Sequence, residues 1–463
     1  MAQSLLSSGI GPVLSQALTL ALVPVLFRLY TPEDFGAWAV IQVIAIGAGS
    51  LASLRFDLAL VMERDPRAAE QLLFAVVAVV ISCSVAAGFA IVFSAGYLET
   101  LGIDGLSAAM GWCWLLLVGL GVVFQGWLMR EGAFAKISIG VVLNAIVTNL
   151  VQLGGGLFGH GSWLVTGSVA GQAAALMFNV WIVMRSTHRP DPKLLKFDKM
   201  LSMLQRNRRF PKISLPFTIL SLLRERAPIF IIGLFAPSAA VGLYSQAWRL
   251  THFPSGLTSA ALRPVFFHRT ASEGLEAQGA AIDRLVRSFL LASGPAIGFV
   301  AFGNDALAET LLGPRWRGAG QLAAMLVFPA ALFTITNWMD RLLDAVGRQD
   351  VNLKVEVIAG LSSIGALWGA LGAGSSLMTA VFLQCVALSA SYLWFLWTCY
   401  RVAGWPRVGL VFSLLGAIAI IISTYLFLVV LSLILTQFQV LLTGATLVAL
   451  AGIAVFLIAR RGA

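Results

Sequence analysis

The chain has 463 residues, 59% of them hydrophobic and only 11% charged, with a mean hydropathy of +0.89. Soluble domains are about a quarter charged, so too few polar side chains are present to cover a water-facing surface, and a soluble fold is excluded. The net charge of +10, from 31 Lys and Arg against 21 Asp and Glu, must first be tested against cytoplasmic loops, where basic residues of membrane proteins gather. Four cysteines, Cys83, Cys113, Cys385 and Cys399, lie in apolar runs without CxxC spacing and read as small hydrophobes rather than a disulfide framework or zinc site.

A bilayer core of about 30 Å is crossed by about 20 apolar residues in a helix. Runs of that kind occur at 5–28, 34–55, 71–95, 106–129, 136–158, 162–185, 213–236, 238–262, 285–304, 318–339, 351–373, 376–400, 408–434 and 438–459. The expected fold is therefore an all-α polytopic membrane protein with about fourteen transmembrane helices. No Lys or Arg precedes Leu5, so the first run reads as a retained helix and not a signal peptide.

An even number of spans puts both termini on one side. With both in the cytoplasm, the internal loops hold 25 of the 31 Lys and Arg, and the external side holds only Arg28, Arg315 and Arg317. That asymmetry supports both the count and the orientation. Most of the positive charge is thus a topology signal, and nucleic acid is not expected as a partner.

The chain also repeats itself at an offset near 205. Pro12, Pro24, Pro32 and Gly36 match Pro216, Pro228, Pro237 and Gly242, and Leu54-Arg55 matches Leu262-Arg263. Six spans per repeat give two lobes inserted in the same sense. The expected division is an N-lobe over 1–185, a cytoplasmic basic linker over 186–212, a C-lobe over 213–403, and two further helices over 404–463. Within the linker, Leu194, Phe197, Leu201 and Leu204 recur at helical spacing among Lys and Arg, as either an interfacial helix or a solvated basic segment. Pro24 and Pro228 each remove one backbone hydrogen bond from the first helix of their lobe, which makes them candidate hinges.

Four charges remain well inside the spans: Arg224, Glu225, Arg226 and Arg249. At about 1.5 Å per residue, Arg224 lies roughly 16 Å into its span. A charge at that depth costs several kcal/mol unless it meets a partner or water. Either Glu225 neutralises an arginine and the set locks spans 7 and 8 together, or Arg224, Arg226 and Arg249 line a cationic cavity whose guanidinium forks suit phosphate or carboxylate. Gln125, Asn144, Asn149, Gln152, Gln172, Asn179, Asn337 and Gln384 sit on other spans, as hydrogen-bonding surface for hydroxyl-rich material or as interhelical contacts.

The phrases LYTPEDFGAWAVIQ after span 1, LRFDLALVMERDPRAAEQLL leading into span 3 and APSAAVGLYSQAWRL between spans 7 and 8, with the 6+6+2 arrangement, resemble Wzx-type oligosaccharide flippases. These form the polysaccharide transporter branch of the multidrug/oligosaccharidyl-lipid/polysaccharide (MOP) superfamily. The resemblance implies a non-enzymatic transporter of the bacterial inner membrane. It would move undecaprenyl-diphosphate-linked oligosaccharide repeat units, such as those of O-antigen or exopolysaccharide, from the cytoplasmic to the periplasmic leaflet by alternating access. It further implies a cationic central cavity, to which Arg224, Arg226 and Arg249 correspond in kind. No cofactor is implied beyond coupling to a proton or sodium gradient, for which Glu225 is the candidate. A polysaccharide polymerase of the same pathway is the candidate protein partner, beside membrane lipids.

Three other readings share features of the chain. A lipid II flippase would have the same fold and lipid diphosphate. A cation-coupled drug antiporter of the superfamily would need buried carboxylates that spans 1–6 lack at mid-depth. A membrane polymerase or ligase would need catalytic residues on a large external loop, whereas the external loops here are short and no GxxxxGK[ST] phosphate loop occurs.

Overall fold

A long apolar segment in a bilayer satisfies its peptide groups by bonding them internally as a helix. The computed structural model describes residues 2–93, 96, 103–186, 190, 197–274, 278–345 and 348–462, and its regular elements are all helical among these residues. The first nine helices are α1 (Ala2–Leu29), α2 (Pro32–Leu51), α3 (Phe56–Met62), α4 (Pro66–Phe93), α5 (Gly105–Arg130), α6 (Phe134–Gly156), α7 (Ser162–Met184), α8 (Phe197–Arg206) and α9 (Arg209–Phe235). The rest are α10 (Ser238–Glu273), α11 (Gly279–Leu312), α12 (Ala319–Ala345), α13 (Gln349–Gly372), α14 (Leu377–Val402), α15 (Arg407–Ser432) and α16 (Gln437–Gly462).

Each apolar run of the sequence corresponds to one helix, with α3 and α8 additional. Among the described residues, eleven helices are long and apolar enough to cross a membrane. The helices α9 and α10 are not among them, and these two carry Arg224, Glu225, Arg226 and Arg249.

The second span is shorter than expected. α2 ends at Leu51, where Leu54 and Arg55 take left-handed backbone with φ of 48° and 63°. Ser53 then donates to Asp57 Oδ1 at 2.7 Å, which starts the separate α3. At its other end α2 is well specified by sequence. Pro32 occupies the first turn, the Thr31 hydroxyl accepts from the Asp34 N–H, and Asp34 accepts from the Thr31 N–H, a capping box with proline at its preferred place.

By internal packing the chain forms two compact units, Met1–Gly242 and Leu243–Ala463. This division differs from that of the sequence repeat because α9 packs against α2 and α3. In the first unit α6 packs on α1 and α7, and α5 on α2, α4 and α7. Trp127 of α5 is fully buried among Leu60, Leu72, Val76 and Val183. The linker helix α8 lies on α4, with Met203 and Leu204 against this core.

In the second unit α11 packs on α12, α15 and α16, and α14 on α12 and α13. Its core gathers Ile282, Leu332, Trp338, Leu342, Leu396 and Tyr400. Asp283 accepts from the Tyr400 hydroxyl at 2.7 Å and from Arg287 Nε at 3.0 Å, tying α11 to α14. α11 breaks at Asn304 (φ 41°, ψ −127°), where the ninth span was expected to end. Beyond the break, Asp305 accepts from the Gly318 N–H at 2.7 Å and holds the turn into α12.

Small-residue pairs at GxxxG spacing can pack helices closely together. Gly167 and Gly171 do so, against Gln152 and Thr148 of α6. Gly365 and Gly369 of α13 do not: a Cβ at either would meet nothing within 4 Å. Neighbouring Trp368 and Leu361 are 49% and 66% exposed, so this face of α13 is an outer surface.

Candidate functional site

α9 is packed along only part of its length. Pro228, Ile229, Ile231 and Ile232 are buried, whereas Leu223 and Glu225 immediately before them are exposed and Arg226 is half-buried. The Arg224 side chain lies outside the described residues. Glu225 and Arg226 thus precede the buried stretch of a helix that packs against α2 and α3. α1 and α9 run on as continuous helices through Pro24 and Pro228.

Arg249 belongs to α10 in the second unit and is half-buried. Around it α10 carries an aromatic ladder at intervals of four, which places Tyr244, Trp248 and His252 on one helix face. The Trp248 and His252 rings stack with centroids 3.7 Å apart, and Tyr244 lies 6.1 Å from Trp248. Phe333 of α12, 5.8 Å from His252, and Tyr392 of α14, 5.4 Å from Phe333, continue the ladder across the unit. The Tyr244 hydroxyl donates to Gln384 Oε1 at 3.1 Å. Charge-based reading of the sequence missed this ladder, although the YSQAWRLTH spacing carries its signal.

The polar residues of α6 and α7 are used within the first unit. Asn144 Nδ2 donates to Gln172 Oε1 at 2.8 Å, and Gln152 Nε2 donates to the Leu164 carbonyl at 2.9 Å. Asn149 Nδ2 donates to the Ala145 carbonyl at 2.7 Å. Trp38 Nε1 reaches Ser168 Oγ at 3.0 Å, and the Tyr30 hydroxyl donates to the Gln152 carbonyl at 2.6 Å. Tyr30 sits just beyond α1, and burial, aided by the charge of Asp34, pushes its phenol up to about 12. It stays a neutral donor at any physiological pH. These side chains stitch α1, α2, α6 and α7 together, so of the two roles open to them from sequence, Asn144, Gln152 and Gln172 fill the interhelical one.

The repeat marks Pro32–Gly36 and Pro237–Gly242 meet in space. A Cβ on Gly36 would overlap the Ser238 carbonyl and come within 3.2 Å of the Gly242 nitrogen. A Cβ on Gly242 would overlap the Pro32 carbonyl and come within 3.0 Å of the Gly36 nitrogen. The contact is reciprocal: each glycine admits the first turn of the other's helix. Only glycine allows backbones to approach so closely.

With this arrangement in view, the chain compares with known proteins as follows. The profile of the family described as "Polysaccharide biosynthesis protein" matches residues 25–321. The succinoglycan biosynthesis transport protein ExoT of Rhizobium meliloti (strain 1021) is 23% identical over 400 residues, covering 83% of this chain and 77% of that protein. Among solved structures, the lipid II flippase MurJ in an inward closed conformation aligns with 100% of this chain and 99% of its own, at a TM-score of 0.76 and 11% identity. An inward-facing multidrug resistance MATE family transporter of the MOP superfamily aligns with 83% of this chain and 95% of its own, at 0.63 and 14% identity. These relatives are transporters, and the fold is that of the MOP superfamily. The resemblance read from the LYTPEDFGAWAVIQ and APSAAVGLYSQAWRL phrases therefore holds, and this multi-pass membrane protein belongs to the polysaccharide biosynthesis protein family.

Proposed function

We propose that this MOP-type flippase carries undecaprenyl-diphosphate-linked oligosaccharide repeat units from the cytoplasmic to the periplasmic leaflet of a bacterial inner membrane. The observation that carries this reading is the placement of charge. Glu225, exposed, and Arg226, half-buried, lie on α9 and Arg249 on α10, in helices of membrane-spanning length where charge is costly. Arg224 completes the cationic set. Guanidinium groups bind phosphate through paired hydrogen bonds, so a lipid diphosphate suits them, and the succinoglycan relative supports a polysaccharide precursor over a cationic drug.

Both termini lie in the cytoplasm in this reading, so α2 and α10 begin at the external side. The Gly36–Gly242 crossing then acts as the closed external gate of an alternating-access cycle. Lobes over 1–185 and 213–403 move about the basic linker 186–212, with 404–463 appended and Pro24 and Pro228 as hinges. Glu225 takes the coupling proton or sodium ion, and a polymerase receives the exported units.

The test is transport by the purified chain in proteoliposomes bearing a lipid-linked oligosaccharide. Arg226→Ala and Arg249→Ala are expected to slow translocation at least tenfold each while leaving insertion unchanged. Undiminished transport by both variants removes the cationic site. Transport of lipid II in preference to the oligosaccharide lipid would move the chain to the other flippase branch.

A further inference from the structure

A second basic cluster is built from residues 61–186, none of them on α9 or α10. The sequence MERDPRAAE ends α3 at Met62 and restarts as α4 at Pro66, so the intervening turn projects Arg64. Arg130 closes α5, and Gly132, at φ 69°, permits the tight reversal into α6 that brings Lys136 up beside it. Arg185 follows the last turn of α7. These three helix ends enclose a groove of about 940 Å³ lined by Arg64, Arg130, Lys136 and Arg185 together with Glu63 and Glu131.

Both carboxylates are already engaged. Glu131 accepts from Trp127 Nε1 at 3.1 Å, and Glu63 accepts from the Asp65 N–H at 3.2 Å and pairs with Arg206 of α8 at 3.7 Å. Two of the cations are held in place without being neutralised. Arg130 Nε donates to the Glu63 carbonyl at 2.8 Å with its guanidinium 5.3 Å over Trp127, and Arg185 lies 4.4 Å over Trp181. Among the described residues none of the four lining cations forms an ion pair with a carboxylate. Beside them Met62 is 62% and Trp181 47% exposed, as expected where a helical bundle meets the apolar edge of the headgroup layer.

We infer that this groove binds the phosphate of a membrane lipid, with Arg64, Lys136 and Arg185 contacting the anion and Arg130 fixing the turn that presents Arg64. Its lining includes none of Arg224, Arg226 or Arg249, so the acidic-lipid arm stands without the transport reading and only the polyprenyl diphosphate arm rests on it. The positive-inside tally assigns the same arginines to topology, but topology alone requires no concave arrangement and no engagement of both carboxylates elsewhere. Two lipids present this chemistry at the membrane surface, an acidic glycerophospholipid and the polyprenyl diphosphate carrier.

The full-length protein in neutral detergent is titrated with short-chain phosphatidylglycerol, short-chain phosphatidylcholine, undecaprenyl diphosphate and inorganic phosphate, with Tm as the readout. Phosphatidylglycerol, undecaprenyl diphosphate or both are expected to raise Tm by several degrees, and whichever does so identifies the source. Arg64→Gln with Lys136→Gln, both at exposed positions, is expected to weaken that binding at least tenfold while leaving the lipid-free Tm unchanged. Lys136→Gln alone gives the same direction should the double variant fold poorly. Equal stabilisation by phosphatidylcholine, equal binding of inorganic phosphate, or unaltered affinity in the variants overturns the inference.

Discussion

The two compact units handle polar chemistry inside an apolar fold in different ways. In residues 1–242 buried amides and hydroxyls meet one another: Gln152, Ser168, Trp38 and Tyr30 form a continuous seam among α1, α2, α6 and α7. In residues 243–463 the interior is bound by rings in contact, from Tyr244 through Trp248, His252 and Phe333 to Tyr392, and by Asp283 joining Tyr400 and Arg287. The contrast shows how the first unit uses its buried polar side chains for assembly. Asn144, Gln152 and Gln172 have partners that hold helices together, whereas Glu225 is exposed and Arg226 half-buried ahead of the packed stretch of α9.

The largest effect expected from breaking this contrast is on transport. Arg226→Ala combined with Arg249→Ala should reduce translocation about a hundredfold, or about 2.8 kcal/mol at a factor of ten per 1.4 kcal/mol, with Tm unchanged. Assays in proteoliposomes beside thermal denaturation check both halves of that statement. A fall in Tm of several degrees would instead make the arginines structural.

Gly242→Val comes next. Its side chain overlaps the Pro32 carbonyl, and forcing atoms into a packed contact costs about 1–3 kcal/mol. The closed arrangement should be disfavoured, which a Cys pair flanking the crossing would report as lost disulfide formation. Gln152→Leu should then cost about 1–3 kcal/mol, because the Leu164 carbonyl loses its side-chain donor in a buried site. That loss would be read as reduced Tm in detergent.

Tyr30→Phe is the smallest, at about 1 kcal/mol. It also has a pH signature. The folded phenol titrates at about 12, against 10.0 for an ordinary tyrosine, so its contribution is fully present below pH 10 and is lost as pH rises toward 12. Wild-type Tm should therefore fall more steeply than that of Tyr30→Phe over this alkaline range.

Much of the fold was legible from hydropathy, because a bilayer demands helices of one length and marks their cytoplasmic ends with Arg and Lys. Every apolar run became a helix, and the α2 start followed from the local pattern Thr31-Pro32-Glu33-Asp34. The end of α2 was not legible, since left-handed backbone at Leu54 and Arg55 interrupts an apolar run with no glycine or proline to signal it. The open face at Gly365 and Gly369 was not legible for a related reason: small-residue spacing is the same whether the face is packed or open. The α10 ladder was overlooked because aromatic residues are common in membrane helices and only their partners, Phe333 and Tyr392, distinguish a ladder from a scatter.

The sequence by itself determined that the protein is a helical membrane protein, where its long apolar helices fall, and that Arg224, Glu225, Arg226 and Arg249 lie on two of its long helices. These follow from composition and period, which act locally along the chain. Only the tertiary structure decided which polar residues are partnered, that Gly36 and Gly242 face each other, and that Arg64, Arg130, Lys136 and Arg185 line one groove. Those facts depend on distances between residues far apart in the chain, set by helix packing, and neither hydropathy nor charge count encodes them.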